Sequence, residues 1–342
     1  MLKNLLLVGC AFLLHSTLGR AQCAILPVAT AGPLTLAPAG TAPNPMAMVY
    51  NPGRQLYYCF FGGSAAYSVD VWNTFGTRLA SVMPLGYDYR GAWWNPTTSQ
   101  LEGNGFDNAS IVAKPINTNG YPVATTVTTI FAAGNSLSSQ NVGAYDPVNN
   151  EIIYYSAGTI KRVNRATNAT LASTAVTGLP VAFSALNANV VLYTGCMGKE
   201  YGLYDATNKA VYFVARATSA YVGTCQLPAT APGNASFGVS YANGLLFLFD
   251  YSTRIWSSYN LFNNTTTATI APGAAPAKLA LLPNPAREQV QVANATGPLR
   301  LLDMTGRVLR EQATGNTLAL SGLAAGLYIV QSGTSTTRLV VE

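Results

Sequence analysis

The stretch Gly86-Tyr87-Asp88-Tyr89-Arg90-Gly91-Ala92-Trp93-Trp94 brings aromatic faces, a carboxylate and a guanidinium together within a few residues. Tyr87, Tyr89 and Trp93 could stack on sugar rings, while Asp88 and Arg90 could supply charged hydrogen bonds. The same spacing supports a plainer account. Asp88 and Arg90, two residues apart on a strand, can form a surface ion pair while the aromatics pack. Nine acidic residues lie scattered through residues 22–277, and paired-carboxylate glycoside hydrolysis would need two of them about 5–10 Å apart. Asp107, set among amides in Gly-Asn-Gly-Phe-Asp-Asn, lacks the spaced oxygen ligands of a calcium loop. No metal site and no cofactor is expected, and neither a nucleophile elbow nor a phosphate loop is present.

The N-terminus removes further chemistry. Lys3 is followed by an apolar run from Leu5 to Leu14, with small residues Gly19 and Ala21 before Gln22. This is the pattern of a secretory signal peptide over residues 1–21, too short in its apolar run for a membrane span. Cleavage there would lower the formal net charge from +6 to +4, through loss of Lys3 and Arg20. It would also remove His15, the one histidine of the chain. A mature chain without histidine excludes Ser–His and Cys–His nucleophile pairs and imidazole zinc sites.

Four cysteines would remain: Cys23, Cys59, Cys196 and Cys225. In an oxidising compartment they can pair in three ways, and Cys23–Cys59 with Cys196–Cys225 closes the shortest loops. Residues 22–277 hold eleven Lys or Arg against nine Asp or Glu. That near-balance, with one small basic cluster at Lys161-Arg162-Val163-Asn164-Arg165, leaves no nucleic-acid footprint.

The elements that must position these groups are strands. Hydrophobic residues make up 49% of the chain and charged residues 9%, with nineteen Tyr, a composition suited to an extracellular β protein. No long segment carries a capped 3.6-residue apolar period. Residues 22–262 instead repeat one theme: an aromatic, then Asn or Asp, a short turn, and a β-type run. It is strongest at Tyr50-Asn51-Pro52, Trp94-Asn95-Pro96 and Tyr145-Asp146-Pro147, and weaker at Asp205 and Ala242. Pro after Asn or Asp initiates a turn, so each copy predicts a hairpin. The anchors at 51, 95, 146, 205 and 242 are 44, 51, 59 and 37 residues apart, against about 40–50 for a propeller blade. Residues 263–277, nearly devoid of large side chains, predict a linker. Residues 278–342 predict about six antiparallel strands in a small Ig-like β-sandwich.

Two resemblances follow. The repeated hairpins resemble the first hairpins of secreted β-propellers, which implies an all-β domain of five to seven blades; a two-sheet sandwich is the alternative. That resemblance also implies a funnel lined by the loops preceding each innermost strand, and so points back to residues 86–94. In the C-terminal segment, Pro283-Asn284-Pro285, then Asp303, Gly306 and Arg307, then Leu320, Leu323, Gly326 and Tyr328, are similar to the type A C-terminal sorting domain of the type IX secretion system. Leu282 stands where that family often has an aromatic, and Arg338 where it favours Lys. The resemblance implies export through type IX secretion to the cell surface or the medium, with the secretion machinery as partner. The resulting expectation is a non-enzymatic binder of a glycan or protein ligand, with a carbohydrate-active hydrolase or lyase as the alternative.

Overall fold

The computed structural model describes residues 23–39, 44–263, 279–293, 295, 298–303, 307–312, 315–332 and 335–342. The expected signal peptide, all of the expected linker except Asn263, and Gly306 lie outside the described residues. The described residues form two compact units, before and after residues 264–278.

The first unit is built from strands alone, apart from short 3-10 turns at Phe106–Asn108 and Phe183–Ala185. It opens with β1 (Ala24–Leu36). An antiparallel meander follows from β2 (Asn44–Asn51), β3 (Leu56–Gly62), β4 (Val69–Asn73) and β5 (Arg78–Val82). The next comprises β6 (Tyr89–Asn95), β7 (Gln100–Gly105), β8 (Ile111–Lys114) and β9 (Thr128–Phe131). A third comprises β10 (Ala144–Asp146), β11 (Glu151–Ser156), β12 (Thr159–Asn164) and β13 (Thr170–Ala175). The fourth comprises β14 (Leu192–Tyr193), β15 (Tyr201–Asp205), β16 (Ala210–Val214) and β17 (Tyr221–Gln226).

The last meander holds β18 (Val239–Ala242), β19 (Leu245–Asp250) and β20 (Ile255–Asn263), and its fourth strand is β1. β1 runs antiparallel to β20 from Ala24↔Asn263 to Leu36↔Trp256. A single parallel bridge, Val28↔Gln226, joins the fourth and fifth meanders into one eight-stranded sheet.

The first strands β2, β6, β10, β14 and β18 touch one another in cyclic order, β18 returning to β2. Five hydrophobic clusters fill the five gaps between successive meanders, and the one containing Leu36, Tyr57, Cys59 and Trp256 joins the last meander to the first. This sandwiching explains the second strands. β3 and β15 are buried at every position and β19 at all but its last, so they do not show the exposed-and-buried alternation of a surface strand. The fourth strands β5 and β13 lie at the rim and are largely exposed.

Two expectations are corrected here. The disulfide is Cys23–Cys196, with Cα atoms 5.7 Å apart, and Cys59 and Cys225 are buried free thiols. Proximity in sequence misled because β1 leaves the first meander to pair with β20. Cys23 therefore lies far from Cys59, whose sulfur accepts the Trp256 indole N–H at 3.2 Å. A cross-link spanning 173 residues removes loop-closure entropy worth on the order of 5 kcal/mol in the chain-entropy account. The turn at Asp205 is also misplaced in the repeat. It joins β15 to β16, the second and third strands of its meander, whereas Asn51, Asn95, Asp146 and Ala242 end first strands.

The second unit contains β21 (Ala280–Leu282), β22 (Gln289–Ala293), β23 (Leu299–Leu302), β24 (Val308–Gln312), β25 (Thr317–Ala319), β26 (Gly326–Ser332) and β27 (Ser335–Val341). They form a three-stranded sheet, β21-β22-β25, and a four-stranded sheet, β24-β23-β26-β27. Both sheets contribute to one core, including Leu281, Val290, Leu318, Leu301, Val330 and Leu339.

Candidate ligand-binding funnel

Tyr87, Asp88, Tyr89 and Arg90 lie at the start of β6 and are engaged with the protein. The Arg90 guanidinium donates to Asp88 Oδ1 at 2.5 Å and to Gln140 Oε1 at 2.7 Å, and lies 4.8 Å from the Phe106 ring centroid. Asp88 Oδ1 also accepts the Gly63 N–H at 2.6 Å. Tyr89 is fully buried against Phe60 and Tyr87. The Tyr87 hydroxyl donates to the Ser110 carbonyl at 2.5 Å.

Trp93 lies further along β6. Its indole N–H donates to Glu102 Oε2 at 3.0 Å and its ring stacks on Tyr145, with centroids 6.1 Å apart. Glu102 is fully buried and also accepts from Asn95, Thr98 and both Nε and Nη2 of Arg165, at 2.6 and 2.7 Å. This carboxylate is therefore committed to holding two meanders together.

The concavity of the unit lies at the other end of the ring strands. The parallel bridge Val142↔Val190, just ahead of β10 and β14, sets those two in one sense, and residues from the ends of all five ring strands line one cavity. The turns after them accordingly gather at one mouth. A cavity of about 340 Å³ opens there, and each ring strand gives it at least one aromatic, among them Tyr50, Trp94, Tyr145, Tyr193 and Tyr241. Pro52, Pro96 and Pro147, from the turns themselves, complete the apolar wall. Trp93 also lines it, so of the five residues expected at a site only this one reaches the cavity.

Local chemistry places these rings. Asn51 Oδ1 accepts the N–H groups of Gly53 and Arg54, at 3.0 and 3.2 Å. Asp146 Oδ1 does the same for Val148 and Asn149, at 2.9 and 3.1 Å. Each Asx turn ends a ring strand just after its aromatic, and the proline presets the turn.

No Asp, Glu, Lys or Arg is among the lining residues. Of the polar ones, Ser240 Oγ is bonded to both N and O of Met48, and Thr194 Oγ1 donates to the Lys199 carbonyl. Two phenols are spoken for: Tyr145 donates to Asn150 Oδ1 at 2.9 Å and Tyr193 to Asp146 Oδ1 at 2.8 Å. The hydroxyls of Tyr50 and Tyr241, on neighbouring strands β2 and β18, have no hydrogen-bond partner among the described residues. Burial pushes both phenols up from their ordinary range, so they stay protonated and able to donate. Asn243 stands beside them with its amide donating to Tyr57. The funnel is thus an uncharged aromatic and proline wall with one polar corner.

The signal for this quintet was present in the sequence. At positions 50, 94, 145 and 241 an aromatic directly precedes the turn anchor. Its role was hidden by the fourth copy, where Tyr204 is buried with its hydroxyl on the Pro232 carbonyl and Tyr193 takes the funnel position.

In the second unit, Asn284 donates to the Arg338 carbonyl and accepts the Val340 N–H, both at 2.9 Å. Asp303 accepts from the Arg307 backbone and Nε, at 3.0 and 3.1 Å. The Tyr328 hydroxyl donates to the Ala324 carbonyl at 2.8 Å. Pro283 and Pro285 flank Asn284, Gly326 opens β26, Leu320 is buried and Leu323 packs against the same core.

Residues 280–342 match the family described as secretion system C-terminal sorting domain. A search of curated proteins returns no match. Among solved structures, the chain is similar to Myxococcus xanthus glutaminyl cyclase at 12% identity, over 70% of this chain and 98% of that one, with a TM-score of 0.47. It is similar to an auxiliary nutrient binding protein from Bacteroides thetaiotaomicron at 11% identity, over 63% and 58% of the two chains, TM-score 0.38. It is also similar to PorZ, a surface component of the type IX secretion system of Porphyromonas gingivalis, at 14% identity, over 87% and 45%, TM-score 0.28. No helix among the described residues is long and apolar enough to cross a membrane.

Proposed function

We propose, for a chain whose residues 280–342 are a type IX secretion C-terminal sorting domain, that the exported cargo is a five-bladed β-propeller binding a neutral glycan in its aromatic funnel. The sorting domain directs the protein to the cell surface or the medium. In this reading each meander is a blade, β1 closes the ring, and the sorting domain is Ig-like.

The observation that carries the binding function is the quintet Tyr50, Trp94, Tyr145, Tyr193 and Tyr241 in a cavity lined by no charged side chain. Aromatic faces stack on the apolar faces of pyranose rings, and the hydroxyls of Tyr50 and Tyr241 would meet sugar hydroxyls. The same lining argues against hydrolysis, which requires a carboxylate pair at the bond to be cleaved. Glu102, Glu151 and Asp146 are engaged in ion pairs between or within blades.

Titration of the purified full chain with neutral oligosaccharides, followed by tryptophan fluorescence and by product analysis, tests this. Binding without turnover is expected. Trp94→Ala should weaken it roughly tenfold or more, a loss of about 1.4 kcal/mol. Failure to bind any neutral oligosaccharide, or release of shortened products, would refute the reading. A protein ligand is the second reading, favoured by Val148 and Met197, exposed in connections that follow ring strands.

A further inference from the structure

In the sorting domain, the motif side chains are used internally. Asn284 spans Arg338 and Val340, Asp303 holds Arg307, and Tyr328 caps Ala324. None of these groups is left over for a partner in that bonding state, so recognition falls to other residues.

The outward face of the β24-β23-β26-β27 sheet offers them. Leu299, Leu301, Val330, Leu339 and Val341 point into the core, which turns Leu302, Leu327, Ile329 and Val340 outward by strand alternation. The register sets these in a stripe: Leu302 lies opposite Val308 and Ile329, and Leu327 opposite Val340. Val308, Leu327 and Val340 are 46%, 40% and 39% exposed. Arg338 lies opposite Ile329 at the border of the stripe.

Charge then identifies the occupant. Arg287 pairs with Glu342, Arg300 with Glu311 and Arg307 with Asp303, while Arg310 donates to the Ala319 and Ser321 carbonyls. The Arg338 guanidinium has no partner among the described residues. We propose that this stripe docks on a protein component of the secretion machinery that presents apolar side chains beside a carboxylate. Asn284 acts as a positioning residue, because its amide clamps the edge of β27 at the two residues, Arg338 and Val340, that the partner meets.

The test is export of the full chain in its producing bacterium, scored as the fraction outside the cell against the fraction in the periplasm. The variants are Leu327→Ser with Val340→Ser, Arg338→Glu, Arg338→Lys, and Arg287→Gln as a control. The double variant and Arg338→Glu should each lower the exported fraction roughly tenfold, the scale set by loss of one interface anchor. Arg338→Lys should restore most of it, and Arg287→Gln should export normally. Arg338 is exposed, so its substitution leaves the core intact, and thermal melting of the purified chains checks the double variant. Normal export of Arg338→Glu overturns the proposal, as does an equal loss in Arg287→Gln. Adsorption of the chain to anionic phospholipid vesicles that Arg338→Glu abolishes would assign the face to lipid instead and likewise overturn it.

Discussion

Lys114 ends β8 with no exposed surface, its ammonium donating to the Leu85 and Thr126 carbonyls at 2.6 and 3.2 Å. Burial lowers its pKa from 10.5 to about 8. Between those values the unfolded chain holds a proton that the folded chain has released, so this residue makes stability rise with pH. Below about pH 8 its cost is fully present. Cys225, pushed up by burial from 9.0 to about 11, acts in the opposite sense once the unfolded thiol ionises. Comparison with Lys114→Met isolates the lysine. The urea midpoint of the variant relative to the wild type should fall as pH rises from 7 to 10. A difference independent of pH would refute the assignment. At this scale some of the site was legible. The spacing of Asp88 and Arg90 suggested a surface ion pair on one strand face; they pair at 2.5 Å, but Asp88 precedes β6 and Arg90 is buried. Tyr89 packs, as the plainer account had it, but its cover was not legible, because Phe60 comes from another meander.

The elements are joined by polar clamps between neighbouring meanders. Glu102 on β7 takes Arg165 from the loop after β12, and Glu151 on β11 takes Arg216 from the loop after β16. Asn104 adds a link, donating to the Asn141 carbonyl and accepting the Gly143 N–H. A buried carboxylate removed from such a pair leaves an uncompensated guanidinium. Glu102→Gln should therefore cost about 3–5 kcal/mol in chemical denaturation, and replacing both Glu102 and Arg165 by apolar residues should cost much less. A small loss in the single variant would show that water reaches Arg165. The turns were the most legible elements. Asn51, Asn95, Asp146 and Asp205 each accept backbone N–H groups two and three residues on, as their types and neighbours dictate. Which strands a turn connects is a different matter. Asp205 makes the same local bonds as Asp146 yet joins the second and third strands of its meander.

For the whole molecule, the two units have separate cores: the one around Val290, Leu301 and Leu339 shares no residue with the five that close the ring. Deleting residues 278–342 should accordingly leave the melting of the ring unit unchanged while the protein accumulates in the periplasm. Export of the shortened chain at the normal level would refute the sorting role. The sequence by itself determined the all-β character, the hairpin turns and the C-terminal sorting pattern. These depend on composition and on contacts spanning a few residues, which the order of residue types expresses directly. Only the tertiary structure decided the Cys23–Cys196 pairing, the closure of β1 on β20 and the gathering of five aromatics at one mouth. The physical reason is ring closure. It brings together residues from opposite ends of the unit, and no local periodicity records which meander will face which.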